Sequence, residues 1–144
     1  AYDGLDVSTQ ARMANRQAEH DRHVFLAAIK ADGASDADLE KLREKYPPTT
    51  HPVVRTHPIS GRKSIYVNKI FTRRIEGLSE RESQALLEQL YRQAWIPDFQ
   101  CRFRWRQDSL AFWDNRGAQH YAAADYWPER RAMERVTIMG DRPR

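Results

Sequence analysis

The chain has 144 residues, a mass of 16.9 kDa and a formal net charge of +4, with 31% charged and 40% hydrophobic residues. This length is enough for one domain, and its longest apolar runs fall far short of the roughly 20 residues that cross a bilayer, so no membrane partner is expected. The positive charge favours an anionic partner but does not distinguish nucleic acid, acidic lipid and a small acidic substrate.

The first residues and the cysteine content bear on the cellular compartment. The chain starts at Ala1 without an initiator Met and without the basic and apolar regions of a signal peptide. Its single cysteine, Cys101, excludes an internal disulfide and is expected to be a buried strand thiol in a reducing compartment. These features predict a cytoplasmic protein, and the abrupt start predicts a piece of a longer chain.

Helix signals are concentrated in the first two thirds of the sequence. Residues 7–29 permit a helix but show a weak apolar stripe. Ser35 opens a capping-box spacing that predicts a helix over 35–46, before two prolines. Ser79 opens a second capping box, and leucines at helical spacing follow it until the next proline. The sequence therefore predicts its clearest helix over 79–95.

Strand signals occupy the middle and the last third. Residues 51–68 hold two groups of strand-forming residues around a turn-rich segment, which predicts a hairpin. Residues 99–106 alternate strictly, with Phe, Cys, Phe and Trp on one face and Gln and Arg on the other. Three further short strands are predicted at 110–113, 119–123 and 131–139.

The predicted last strand places Arg131 and Arg135 on the same side. Burying two guanidinium groups without anions is costly, so they either face solvent or bind carboxylate-like groups. If the chain turns near residues 125–126, His120 lies almost opposite Arg131 on a neighbouring strand. The residues alone leave these alternatives open.

A family resemblance rests on several segments taken together. The segments are WDNRGAQHYA at 113–122, DY at 125–126, RRAMERVT at 130–137, HPVVRTHP at 51–58, GLSERES at 77–83 and GDRP at 140–143. Together they resemble the taurine dioxygenase family of Fe(II)- and 2-oxoglutarate-dependent dioxygenases. The resemblance extends from about Tyr46 to the end of the chain, and more faintly to its first residues.

The resemblance implies a mainly β fold with flanking helices, the C-terminal part of a double-stranded β-helix, or jelly roll. Residues 1–144 would form the C-terminal portion of a single dioxygenase domain. A helical insert would occupy about 1–46, and β-helix strands with one helix about 51–144. Such a part of a barrel is expected to expose sheet edges and apolar surface.

The resemblance also implies roles for individual residues. His120 matches the distal histidine of a facial 2-His-1-carboxylate site for Fe(II). Arg131 matches the arginine that pairs with the far carboxylate of 2-oxoglutarate, and Arg135 matches the one that meets the substrate's sulfonate. Phe71 matches an aromatic residue against the substrate and Trp113 lies near the iron, with core packing an equal alternative for both. The remaining histidines are expected to be structural or surface residues: His20, His23, His51 and His57.

The implied activity is hydroxylation of a small sulfonate such as taurine, which releases sulfite and an aldehyde while 2-oxoglutarate becomes succinate and CO2. An alkylsulfatase-type dioxygenase and a non-catalytic fragment or association module are the alternatives. The resemblance implies a small anionic substrate and a homo-oligomer in the intact protein. Nucleic-acid binding is not expected, because the arginines of 99–106 alternate with its aromatic residues and face the opposite side.

Some positions depart from the family pattern. The family's other two metal ligands form a His-x-Asp or His-x-Glu pair, and no such pair occurs in this sequence. One imidazole cannot hold Fe(II) in a facial site, so the chain alone is not expected to bind iron tightly or to turn over. Lys69-Ile70 and Ala118 also differ from the usual residues, which leaves the substrate open.

Overall fold

The computed structural model describes residues 1–144, and its helices and strands all lie between residues 2 and 99. The α-helices are α1 Val7–Met13, α2 His23–Ala31, α3 Asp36–Lys45 and α4 Glu80–Trp95. The strands are β1 Gln17–His20, β2 Thr49–Pro52, β3 Val54–Thr56, β4 Lys63–Ile65 and β5 Thr72–Ile75. Two short 3-10 helices cover Tyr2–Gly4 and Pro97–Phe99. None of the helices combines the length and the hydrophobicity of a membrane span.

The strands form two small antiparallel sheets. In the first sheet β1 lies between β2 and β5, with Ala18 opposite both His51 and Ile75. The second sheet is the hairpin of β3 and β4, in which Val54 lies opposite Ile65. This confirms the hairpin predicted within residues 51–68. Strands β1 and β5 were not predicted.

The ends of the helices follow from their sequences. Ser79 and Glu82 form the predicted capping box of α4, with the Ser79 N–H donating to a Glu82 carboxylate oxygen at 3.0 Å. Ser35 caps α3 by accepting from the Asp38 N–H at 3.2 Å. Helix α2 ends at Ala31, and Gly33, which follows its C-cap Asp32, has a φ of +96° in the left-handed region that glycine adopts without steric cost. The predicted helices at 35–46 and 79–95 are therefore confirmed.

The hydrophobic core lies between α4 and the first sheet. Leu86, Leu87 and Leu90 of α4 are fully buried together with Ile75 of β5. Ser83, also on α4, accepts a hydrogen bond from the Ile75 N–H at 2.8 Å. The helix thus supplies both the apolar surface and a polar contact that fix its position on the sheet.

Residues 100–144 contain no helix or strand, and most of their side chains are exposed. The strand predictions at 99–106, 110–113, 119–123 and 131–139 are therefore wrong for this chain. A strand needs a hydrogen-bonded neighbour, and the alternation of residues cannot provide one. Cys101 is exposed, so the prediction of a buried strand thiol is also wrong. The chain as a whole is mixed helix and strand rather than mainly β.

Candidate active site

The segment that contains the candidate site is attached to the β3–β4 hairpin through His57. The Nδ1 atom of His57 accepts from the Ser60 N–H at 3.1 Å, so its hydrogen resides on Nε2. His57 Nε2 then donates to Asp114 Oδ2 at 2.9 Å. A residue of the hairpin turn thereby holds the segment that begins at Trp113.

Asp114 is a charged junction between the hairpin and its own segment. Arg116 donates to it through Nε at 2.9 Å and through Nη2 at 2.7 Å, in the forked geometry that suits a carboxylate. The bonds from Arg116 and then from His57 hold the pKa of the Asp114 carboxyl well below its ordinary value. Asp114 is therefore ionised at neutral pH and pairs with both donors.

Gln119 makes the second attachment, directly before the candidate ligand His120. Its side-chain Nε2 donates to the carbonyl oxygens of Ile65 at 3.1 Å and Val67 at 3.0 Å. These carbonyls lie at the end of β4, where backbone groups need partners. The amide of Gln119 thus restricts the position of His120 relative to the hairpin.

His120 lies beside Trp113, with ring centroids 5.3 Å apart and the planes tilted by 51°. The His120 side chain is exposed, as is that of Trp113. The structure therefore brings together the two residues that the resemblance assigned to the metal and its surroundings. Their exposure disfavours core packing for Trp113 in this chain.

The other predicted site residues lie apart from this pair. Arg131 is exposed, with its guanidinium 5.8 Å from the ring centroid of Tyr126, and Arg135 is exposed without an ion pair. Phe71 is 43% exposed, and its N–H donates to the Asn68 side chain at 2.9 Å in the turn before β5. No hydrogen bond, ion pair or ring contact joins these three residues to His120. The prediction that His120 and Arg131 face each other on paired strands is wrong for this chain, because neither residue lies in a strand.

The residues present do not form an Fe(II) site. A facial iron site uses two histidines and one carboxylate, and the structure contains no group of three His, Cys, Asp or Glu side chains that could hold a metal ion. His120 supplies one imidazole, next to a tryptophan rather than a carboxylate.

The sequence-based prediction did not identify the roles of two residues in the site region, His57 and Gln119. His57 was expected to be structural, and its role as a link between the hairpin and Asp114 is more specific than that. Gln119 was not singled out, because its partners lie 54 and 52 residues away and leave no local signal. The position of Gln119 directly before His120 in the quoted motif was the one available indication.

Comparison with known proteins decides the family. Residues 1–137 match the family model described as "Taurine catabolism dioxygenase TauD, TfdA family". The chain belongs to this family. The TauD/TfdA assignment confirms the resemblance drawn from the segments at 51–58 and 113–137.

Relatives of the chain include proteins that are named as alpha-ketoglutarate-dependent dioxygenases. The sequence is 38% identical over 130 residues to an alpha-ketoglutarate-dependent sulfate ester dioxygenase of Pseudomonas putida, covering 88% of this chain and 42% of that protein. It is 39% identical over 128 residues to an alpha-ketoglutarate-dependent sulfonate dioxygenase of Saccharomyces cerevisiae, covering 83% of this chain and 31% of that protein.

A solved structure shows how much of the fold is shared. The crystal structure of a putative alpha-ketoglutarate-dependent 2,4-D dioxygenase from Burkholderia xenovorans superposes with a TM-score of 0.59 at 32% identity. The match covers 73% of this chain and 39% of that one. The chain therefore spans less than half the length of the relatives it matches, and its superposed part shares the fold of the corresponding part of the Burkholderia xenovorans protein.

Proposed function

We propose that this chain is the C-terminal portion of a single Fe(II)- and 2-oxoglutarate-dependent dioxygenase domain that oxidises a small organosulfur anion, with taurine as the first candidate. The observation that carries the proposal is the attachment of the 113–120 segment to the hairpin. His57 holds one end of this segment through Asp114, and Gln119 holds the other end through the hairpin carbonyls. The exposed His120 ring lies beside Trp113. A TauD/TfdA chain that orders this segment is suited to present a metal-binding imidazole. The jelly roll is part of the same proposal.

Each candidate residue has a role that suits its chemistry. His120 offers an imidazole nitrogen as one metal ligand, and the other two ligands come from outside these 144 residues. Arg131 pairs with the far carboxylate of 2-oxoglutarate, since its guanidinium is always charged and forms two parallel hydrogen bonds. Arg135 pairs with the anionic group of the substrate, and Phe71 contacts its apolar part. When bound, the iron supplies the oxidation chemistry, and these residues orient the two substrates.

The proposed overall reaction accounts for both atoms of molecular oxygen. Molecular oxygen supplies one atom to succinate, as 2-oxoglutarate loses CO2, and one atom to the carbon next to the sulfonate. The hydroxylated carbon then releases sulfite and becomes an aldehyde. Arg135 contributes by holding the sulfonate, so that the adjacent carbon is the one presented for oxidation.

An alkyl sulfate is the second candidate substrate. The Pseudomonas putida relative is named as a sulfate ester dioxygenase, and its identity to this chain is close to that of the yeast relative, which is named as a sulfonate dioxygenase. An arginine binds a sulfate ester and a sulfonate through the same oxygen atoms, so Arg135 does not separate them. Oxidation of the carbon attached to the ester oxygen would release sulfate in place of sulfite.

The test of the proposal uses the full-length protein that carries this sequence, loaded with Fe(II). We expect succinate to form with either taurine or an alkyl sulfate, and the identity of the released anion, sulfite or sulfate, assigns the substrate. Arg131→Ala should raise the KM for 2-oxoglutarate by about tenfold or more, because it removes a forked charged hydrogen bond. Arg130→Ala, the neighbouring arginine, is the matched control and should leave that KM unchanged. Equal effects of the two substitutions would overturn the role of Arg131.

A further inference from the structure

A second group of polar residues lies in the folded part of the chain, away from the 113–120 segment. His20 of β1, His51 of β2 and Tyr66 after β4 have ring centroids 5.3 to 5.7 Å apart in every pair. The guanidinium of Arg55, on β3, lies 5.7 Å from the Tyr66 ring centroid. These four residues are called the His20 cluster. They bring the two sheets together through polar side chains.

Two members of the His20 cluster are buried, the other two are half-buried, and the hydrogen bonds of the cluster are incomplete. His20 is 7% exposed and Arg55 is 6% exposed. His20 Nε2, His51 Nδ1 and Arg55 Nε are buried atoms without a hydrogen-bond partner. Native proteins rarely leave such groups unpaired, since each costs free energy comparable to a lost hydrogen bond. Arg55 Nε can only donate, and each of the two histidine nitrogens donates in one of its tautomers, so one missing acceptor can satisfy all three.

The electrostatics of the cluster indicate that the acceptor is negatively charged. Arg55 forms none of the ion pairs of the structure. Asp21, whose charge acts on His20, already pairs with His23 and Arg73. Arg142 adds positive charge that acts on His51. A buried guanidinium without a counter-charge is strongly unfavourable, so a water molecule in this position would complete the hydrogen bonds but not the charge balance.

The same charges disfavour a metal ion. Two histidines and a tyrosine resemble part of a metal site, but the guanidinium of Arg55 would lie against the cation. The cluster also contains no acidic or thiol ligand. A single negative charge balances the single buried cation, and the planar Nε side of a guanidinium matches a carboxylate.

We propose that the His20 cluster binds one carboxylate group, which accepts from Arg55 Nε and from the free ring nitrogens of His20 and His51. The carboxylate belongs either to a small organic acid or to an Asp or Glu side chain of a polypeptide segment outside this chain. This site is separate from Arg131 and Arg135, and it does not depend on the proposed reaction.

The first test is an NMR titration of the full 144-residue chain with sodium acetate at constant ionic strength. The Arg55 Nε–H and the ring signals of His20 and His51 should shift together and saturate. Arg55→Met keeps most of the side-chain volume and should weaken acetate binding by about tenfold or more, because it removes the charged donor. Arg74→Met is the matched control, since Arg74 is exposed and pairs with Glu19, and it should bind acetate as the wild type does.

The second test supplies the carboxylate within the chain. His51→Glu should raise the melting temperature relative to His51→Gln, which has the same size without the charge. Acetate binding by the wild type identifies a small acid as the ligand. A stabilising His51→Glu without acetate binding identifies a protein side chain. Absence of both effects overturns the proposal, as does a response of the same signals to zinc in place of acetate.

Discussion

Gln119 connects the candidate metal ligand to the folded part of the chain, because its side-chain amide donates to two carbonyls of the hairpin. Gln119→Glu replaces this donor by a carboxylate that faces the same two oxygens. At pH 7 we expect the 113–120 segment to detach, at a cost of about 1–3 kcal/mol. The His120 ring signals should then lose the NMR shift caused by Trp113.

Gln107→Glu is the matched control for this substitution, since Gln107 lies in an exposed turn before the 113–120 segment. It adds the same charge and should leave the His120 signals in place. Unchanged His120 signals in Gln119→Glu would contradict the assigned role of Gln119.

His20 gives the chain a dependence of stability on pH. Burial, and then the charge of His51, lower the pKa of His20 from 6.5 to about 4, against the attraction of Asp21. Below pH 6.5 the unfolded chain binds a proton that the folded chain rejects until about pH 4. The free energy of unfolding should therefore fall as the pH decreases through this window, with a limiting slope of about 1.4 kcal/mol per pH unit. Above pH 6.5 both states are neutral at this position and His20 adds no pH dependence.

Urea unfolding at pH 7 and pH 5 in acetate-free buffer measures this effect. Carboxylates such as Asp114, whose pKa is lowered, act only at more acidic pH. His51, whose pKa is lowered by burial and by the charge of Arg142, contributes in the same direction below pH 6.5. His20→Gln should reduce the difference between the two pH values. An equal difference in wild type and His20→Gln would show that another group titrates.

Helix α4 is the element on which the folded part depends most, since its leucines fill the space against β5. Leu90→Ala, at a position that is 0% exposed, should lower the free energy of unfolding by about 2–5 kcal/mol. Leu110→Ala is the matched control, because Leu110 is 84% exposed, and it should change stability little. Chemical unfolding of the three proteins checks the prediction, and similar losses for both variants would contradict the assigned core.

The elements that could be predicted are those whose signals are local. Helix α4 combines the Ser79 capping box with leucines at helical spacing, so the sequence alone locates it. Strands β1 and β5 consist of the polar segments QAEH and TRRI. They form strands because they pair with each other, with Ala18 opposite Ile75, which is distant in the sequence. Distant pairing of this kind leaves little trace in a local pattern.

In the candidate site, too, the sequence predicted the features that have a local signal and not those that depend on distant contacts. The family resemblance identified His120, whereas the bonds that position its segment join residues 52 to 57 positions apart. The strict alternation of residues 99–106 correctly describes a sequence suited to a strand. It does not provide the neighbouring strand that would accept and donate its hydrogen bonds.

At the scale of the whole molecule, the last third of the chain exposes a large apolar surface. Its most exposed large hydrophobic residues are Leu110, Phe112, Tyr121, Trp127, Val136, Ile138 and Met139. Surfaces of this kind favour association or binding to a further part of the same protein. We expect the isolated chain to self-associate as its concentration rises, with a larger mass by sedimentation.

Val136→Lys combined with Ile138→Lys should reduce this association, because both side chains are exposed and make no contribution to the core. Val7→Lys is the control, because Val7 is exposed but lies outside the last third of the chain. It should leave the association unchanged. A monomer at all concentrations would contradict the interpretation of this surface as one that requires a partner.

We expect His120 to be one metal ligand of a 2-oxoglutarate-dependent dioxygenase. The most direct measurement is succinate formation by the full-length protein that carries this sequence, with Fe(II), 2-oxoglutarate and the organosulfur substrate. His120→Ala should abolish succinate formation while the protein remains folded, and His23→Ala, at a histidine far from Trp113 in the sequence, should retain it. Full activity of His120→Ala would contradict the account.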